Sequence, residues 1–244
     1  MIKKMIFAAF AAFVSLAAFA MKNGADRDFE QAARLAAMGE YDAALKSSNA
    51  SILADPSSAR LYVMRGMIML AKGDYASSKS DFEYALSFPA EDAESLRIRA
   101  MACIGLGKKR DADAEFAKIL ELEPKTAEDF FARAAALASR DDFKGAVSAL
   151  DSALEADGKY VQALVLRASL KAARLSDIPG AKSDIGKALE LDPENGELLV
   201  FRGHLSMAEK DFKAALADFR KCESMFPNSQ KVRKLISRCE AKLK

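Results

Sequence analysis

The sequence predicts an all-α fold in which antiparallel helix pairs stack into a solenoid. Three observations carry that prediction. Alanine, the best helix former, supplies 48 of the 244 residues, while Gly (12) and Pro (6) are sparse. Columns of small residues recur at one spacing along the chain. Five of the six prolines fall at the junctions that this spacing defines. With 51% hydrophobic and 30% charged residues, the chain is too apolar for disorder and too evenly charged for a multi-span membrane protein. A formal charge of +2 argues against a nucleic-acid partner. A single histidine, His204, excludes His-rich metal sites and relays that need two.

Residues 1–20 read as an export signal. Lys3 and Lys4 form a short basic start, Met5 to Phe19 is an uncharged apolar run, and Ala18-Phe19-Ala20 supplies a small-x-small cleavage pattern. The run is shorter than the roughly 20 residues that span a bilayer comfortably. No cysteine precedes Cys103, so a lipid-anchored start is not expected. The signal implies a periplasmic location in a Gram-negative bacterium. The alternatives are secretion, or an inner-membrane anchor formed by an uncleaved signal.

Residues 21–244 form the solenoid, with units at about 25–58, 59–92, 93–126, 127–160, 161–195 and 196–229. One small column runs Ala32, Gly66, Ala100, Ala134, Ala168 and Gly203; a second runs Ala44, Ser78, Ala112, Ala146, Ala181 and Ala215. Both step by 34 residues, with one step of 35. Each unit reads as two helices. In the second unit Tyr62, Gly66, Met69 and Leu70 share a face of the first helix, and Ser78, Phe82, Ala85 and Leu86 share a face of the second. Gly73 suits a helix C-cap, and Asp74 or Ser77 the following N-cap. Small residues on facing helices allow close approach, and Phe116 and Leu120 fill the space to the next unit. Such a unit cannot bury its apolar face alone and must stack. One extra residue around Leu175 to Gly180 predicts an irregular fifth turn. After Pro227 a last helix, about 229–243, presents Val232, Leu235, Ile236, Cys239 and Leu243 on one face and caps the stack.

Arginine recurs at Arg65, Arg99, Arg133, Arg167 and Arg202 on first helices. An acid follows 16 or 17 residues later at Asp81, Glu115, Asp184 and Asp218, which predicts a pair across each hairpin. The fourth unit has Ala149 instead, so Arg133 needs another partner or solvent. The pairs read as structure, not as a catalytic or ligand site.

These features resemble the tetratricopeptide repeat family. The resemblance rests on the 34-residue period, the small columns, turns of the Gly39-Glu40-Tyr41 to Ala44 type, and the endings Leu122-Glu123-Pro124 and Leu191-Asp192-Pro193. It covers about residues 25–229. Lys109 in place of the turn aromatic, and Ala90 and Gly158 in place of junction prolines, depart from the pattern. The resemblance implies a right-handed superhelix of about six units whose first helices line a concave groove for a peptide or helix. The groove positions it implies are Phe29, Val63, Met67, Leu70, Arg97, Met101, Ile104, Phe131, Ala135, Val165, Ser169, Val200, His204 and Met207. Arg97 is the only cation among them apart from His204, unlike the Lys-, Arg- and Asn-lined grooves that grip a peptide carboxylate. An apolar, Met-bearing groove suits a hydrophobic or amphipathic segment. Met101→Lys or Val63→Lys is then expected to abolish partner binding and leave helicity intact.

No constellation of residues suggests catalysis, a cofactor or a metal. Gly105-Leu106-Gly107-Lys108 lacks the spacing and the preceding strand of a phosphate loop. Cys222 and Cys239 lie about six residues out of register across the last turn, so no intrachain disulfide is expected. Seven basic against two acidic residues follow from Lys221 onward, and a solvated cap explains them more simply than contact with an anionic membrane. The leading reading is a non-enzymatic scaffold of the cell envelope that binds a protein or peptide. A homo-oligomeric structural protein is the second reading and an enzyme a remote third.

Overall fold

The structure, a computed structural model, describes residues 24–244, so the N-terminal address lies outside it. The described residues form thirteen helices and no strand. In order these are α1 (Gly24–Ala37), α2 (Tyr41–Ala54), α3 (Ala59–Lys72), α4 (Tyr75–Ala85), α5 (Ala93–Gly105), α6 (Lys109–Glu121) and α7 (Ala127–Ser139). They continue with α8 (Phe143–Ala156), α9 (Val161–Arg174), α10 (Ile178–Leu191), α11 (Gly196–Ala208), α12 (Phe212–Met225) and α13 (Gln230–Leu243). Six hairpins, α1–α2 to α11–α12, stack in chain order, and α13 packs on α12. This is the all-α superhelical repeat fold.

The small columns sit where the helices of each pair meet. Ala32, Ala100, Ala134 and Ala168 are fully buried, as are Ala44, Ala146, Ala181 and Ala215. Opposite them each second helix after α2 inserts one large side chain: Phe82, Phe116, Leu150, Ile185 and Phe219, all at most 5% exposed. The fit leaves no spare volume at Gly203, where an added Cβ would lie 2.4 Å from the Phe219 ring.

The turns explain the helix ends. Gly39, Gly73 and Gly107 adopt left-handed φ of 82°, 96° and 72°. At the equivalent place later units use Asp141, Ser176 and Lys210, with φ near 60°, which costs a non-glycine residue about 1–2 kcal/mol. Asp74 then caps α4, its carboxylate accepting from the Ser77 amide, and Asp142, Asp177 and Asp211 repeat the device. The fifth turn is irregular as expected: the Asp177 amide reaches back to the Lys171 carbonyl at 2.8 Å.

All four arginine–acid pairs form. Arg65 and Arg202 each engage both carboxylate oxygens, of Asp81 and Asp218, at 2.7–3.0 Å. Arg167 does the same with Asp184 at 2.5 and 3.0 Å, and Arg99 meets Glu115 at 3.4 Å. The four acids are at most 7% exposed. Arg133, with no acid opposite, donates to the Leu122 carbonyl at 3.2 Å. Sequence spacing missed a second tie. Arg65 also reaches Asn49, Arg167 reaches Asp151, and Arg99 donates to the Leu86 and Phe88 carbonyls. Each of these guanidinium groups therefore joins its own hairpin to the preceding unit.

On α13, Val232, Ile236 and Cys239 are buried, but Leu243 is 42% exposed, so the apolar face ends a turn earlier than the pattern suggests. Cys103, Cys222 and Cys239 are free and buried, and burial raises all three thiol pKa values.

The two ends of this stack meet. Ala37 and Met38, at the end of α1, share a buried cluster with Val200, Phe219, Cys222 and Val232. The Arg34 guanidinium pairs with Asp192 at 2.7 Å across 158 residues of sequence.

Candidate binding surface

The inner side chains differ in how far they face solvent. Six of the groove positions form one column, Phe29, Val63, Arg97, Phe131, Val165 and Val200, and all six are buried. A second column, Met67, Met101, Ala135, Ser169 and His204, changes along the chain. Met67 and Met101 are buried, Ala135 and Ser169 are half-buried, and His204 is exposed. Leu70, Ile104 and Met207 are half-buried.

The physical cause is direct packing between first helices. α3 packs on α5, and α5 on α7, so the inner apolar side chains contact protein, not solvent. Val63 and Met67 belong to one continuous core with Phe29, Ile98 and Met101. Arg97 is 5% exposed, holds Glu94 at 2.7–2.9 Å and lies over the Phe131 ring at 5.3 Å. The Phe131 ring in turn meets Tyr160 at 5.5 Å. Burial raises the Tyr160 phenol pKa.

Eight of the fourteen expected groove residues are therefore core in this arrangement: Phe29, Val63, Met67, Arg97, Met101, Phe131, Val165 and Val200. A lysine at Val63 or Met101 would bury a charge and disturb the stack, so these substitutions do not isolate partner binding. The resemblance that implies these positions does not say whether the face that carries them is covered.

The accessible inner strip consists of Leu70, Ile104, Ala135, Ser169, His204 and Met207. At α11 it includes both His204 and Met207. There the His204 ring stands edge-on to Phe219 at 5.8 Å. Partial burial, with Lys231 and Arg238 nearby, lowers the His204 pKa and favours the neutral imidazole. Glu197, in the first turn of α11, is the most perturbed acid among the described residues: burial raises its pKa to about 8, against the pull of Lys231 and Arg34. Gln162 is 2% exposed and its Oε1 accepts no hydrogen bond. Neither Glu197 nor Gln162 stands out by spacing, because their shared repeat position is polar in every unit, from Arg60 through Glu94 and Glu128.

A shallow groove of about 440 Å³ meets the strip at Leu70 and leads away from it past Tyr75 and Lys79 of α4 to Gly105 and Leu106. Among the described residues no group of three or more His, Cys, Asp or Glu side chains could hold a metal ion, and no helix is long and apolar enough to cross a membrane. The surface offers apolar and small side chains flanked by polar groups, which suits recognition of a chain segment.

Comparison with known proteins agrees with this architecture. The model of the tetratricopeptide repeat matches residues 196–229, which include α11 and α12. A thermophilic tetratricopeptide-repeat protein of Thermus thermophilus superposes with a TM-score of 0.58 at 20% identity, covering 76% of this chain and 99% of that one. A tetratricopeptide repeat protein from Parabacteroides merdae gives 0.55 at 20% identity, over 90% and 86% of the two chains. PilW, a type IV pilus biogenesis factor, gives 0.51 at 18% identity, over 88% and 100%. A search of the curated proteins found no match. The repeat match and these neighbours support the tetratricopeptide-repeat resemblance, and the neighbours share the fold.

Proposed function

We propose that this protein is a non-enzymatic interaction scaffold that holds a hydrophobic or amphipathic segment of a partner protein along its inner face. The observation that carries the reading is the set of accessible residues Leu70, Ile104, Ala135, Ser169, His204 and Met207, which lie on the successive first helices α3, α5, α7, α9 and α11 of a pre-ordered solenoid. A rigid surface lowers the ordering cost of binding. Thioether and aliphatic side chains along the strip tolerate varied partner shapes. We place this scaffold in the cell envelope, on the strength of the basic-then-apolar pattern of residues 1–20.

Site-specific photocrosslinking tests the reading. A photoreactive side chain at His204 or Met207 should capture one protein, and the same group at outward-facing Lys118 or Lys213 should not. The captured segment, made as a synthetic peptide, should bind the purified protein and be displaced by the full partner. Equal capture from the outer positions, or none from His204 and Met207, would overturn it. Fractionation of intact cells checks the envelope location.

A further inference from the structure

The joint between the two ends of the described chain has no counterpart in a simple stack, where each unit touches only its neighbours. It is built from unusual parts. Lys231 sits in the first turn of α13, where a cation opposes that helix's own macrodipole. Its Nζ instead donates to the Ala37 carbonyl at 2.6 Å, at the C-terminal end of α1. Ser229 caps α13, accepting from the Val232 amide, and its hydroxyl donates to the Met38 carbonyl at 2.8 Å. The end of α1 is thus capped by residues about 190 positions away. Met38, 2% exposed, fills the space beneath, its sulfur 3.5 Å from the Cys222 thiol. The Arg34–Asp192 pair closes the side, with both side chains still 30–39% exposed.

We infer that this joint is a latch: the end of α1 docks on α11–α13, closes the solenoid on itself, and holds the inner apolar column shut until it is released. Two features make the joint separable. It is small: Ala37 and Met38 lie at its centre, with two carbonyl caps and one ion pair around them. It also adds to a stack whose units are already held by their neighbours, so opening it leaves each hairpin intact. Opening would relax the curvature of the stack and, through it, the packing of α3 on α5 and α5 on α7 that buries Val63, Met67 and Met101. Release as the control of partner capture rests on the function proposed above; the latch itself does not.

The test is the full chain carrying Arg34→Glu and Lys231→Glu. The second change favours the first turn of α13, so the helix itself is not weakened. Helicity by circular dichroism should stay at the parent value. Small-angle X-ray scattering should show a larger radius of gyration. Amide exchange should rise at least tenfold over residues 29–38 and 229–239. If helicity falls, Lys231→Glu alone is measured in the same way. Superimposable scattering curves, with exchange within twofold of the parent, would overturn the latch. Oxidation of the Met101 thioether by peroxide, followed by mass spectrometry, then reads the gate: it should rise severalfold in the opened protein. An opened ring with no gain at Met101 refutes the gate. Absence of capture from His204 and Met207 in the parent protein refutes the function instead.

Discussion

Two glycine-to-alanine changes should move stability in opposite directions, and the structure says why. Both Gly186 and Gly203 lie inside helices, α10 and α11. Alanine in either place gains about 0.8–1.0 kcal/mol of intrinsic helix preference. At Gly186 an added Cβ meets nothing within 4 Å, so that gain should appear in full. At Gly203 the same atom would lie 2.4, 2.7 and 3.0 Å from three carbons of the Phe219 ring, where ordinary contact begins near 3.4 Å. The ring cannot swing away. Phe219 is fully buried among Met38, Val200, Cys222 and Val232. Relief requires moving α11 off α12, and overpacking of this kind costs about 1–3 kcal/mol. Gly203→Ala should therefore be neutral to destabilising by about 2 kcal/mol. In a chain of this size 1 kcal/mol shifts the melting midpoint by about 2–4 °C. Thermal unfolding followed by far-ultraviolet circular dichroism should show Gly186→Ala melting about 2–4 °C above the parent and Gly203→Ala at or below it. If both variants gain equally, close approach of Phe219 to the small column is not what holds the hairpin.

The buried ion pairs make a second contrast. Asp184→Ala strands Lys171 and leaves Arg167 with Asp151 alone, both cations largely buried, and should cost about 3 kcal/mol, whereas Arg133→Ala removes one bond to a carbonyl and should cost under about 1 kcal/mol; urea midpoints of the two variants compare them directly. Glu197 predicts a pH dependence. Its pKa rises from 4.5 unfolded to about 8 folded, so between these values the folded state binds more protons and stability falls as pH rises. Glu197→Gln should flatten the melting curve against pH over that window and stabilise the protein at its alkaline end by about 1 kcal/mol. A parent whose melting point is unchanged across the window would refute the assignment.

Local features were the legible ones. The small columns predict which faces touch because helix spacing fixes a face to within a few tens of degrees. Arg65, Arg99, Arg167 and Arg202 find their acids because an antiparallel hairpin gives opposed residues a constant separation in sequence. The extra residue near Ser176 displaces the fifth turn and nothing else, because solenoid units contact mainly their neighbours. The second tie of each arginine, to Asn49 or Asp151 in the preceding unit, was less visible, since that partner changes type from unit to unit.

Curvature is a different kind of quantity. Each unit turns slightly on the last, and the inner face closes or opens with the sum of those small rotations over six hairpins. No single residue reports that sum. Val63 and Met101 satisfy every local requirement for a groove residue, yet they are 0% and 6% exposed because the helices carrying them are drawn together. Lys231 shows the same limit from the other side. As one of several cations on α13 it resembles a solvated stripe, and only the return of α1 to the far end of the chain gives its ammonium the Ala37 carbonyl as partner. Because closure rests on contacts between residues so distant in sequence, changes confined to Arg34, Met38 or Lys231 can alter the width of the inner face far from the joint. The strip meets the joint at α11, where Met207 packs on the cluster that holds Met38 and His204 lies near Lys231, so the effect of opening the ring on the strip is read at Leu70, Ile104, Ala135 and Ser169, away from the joint.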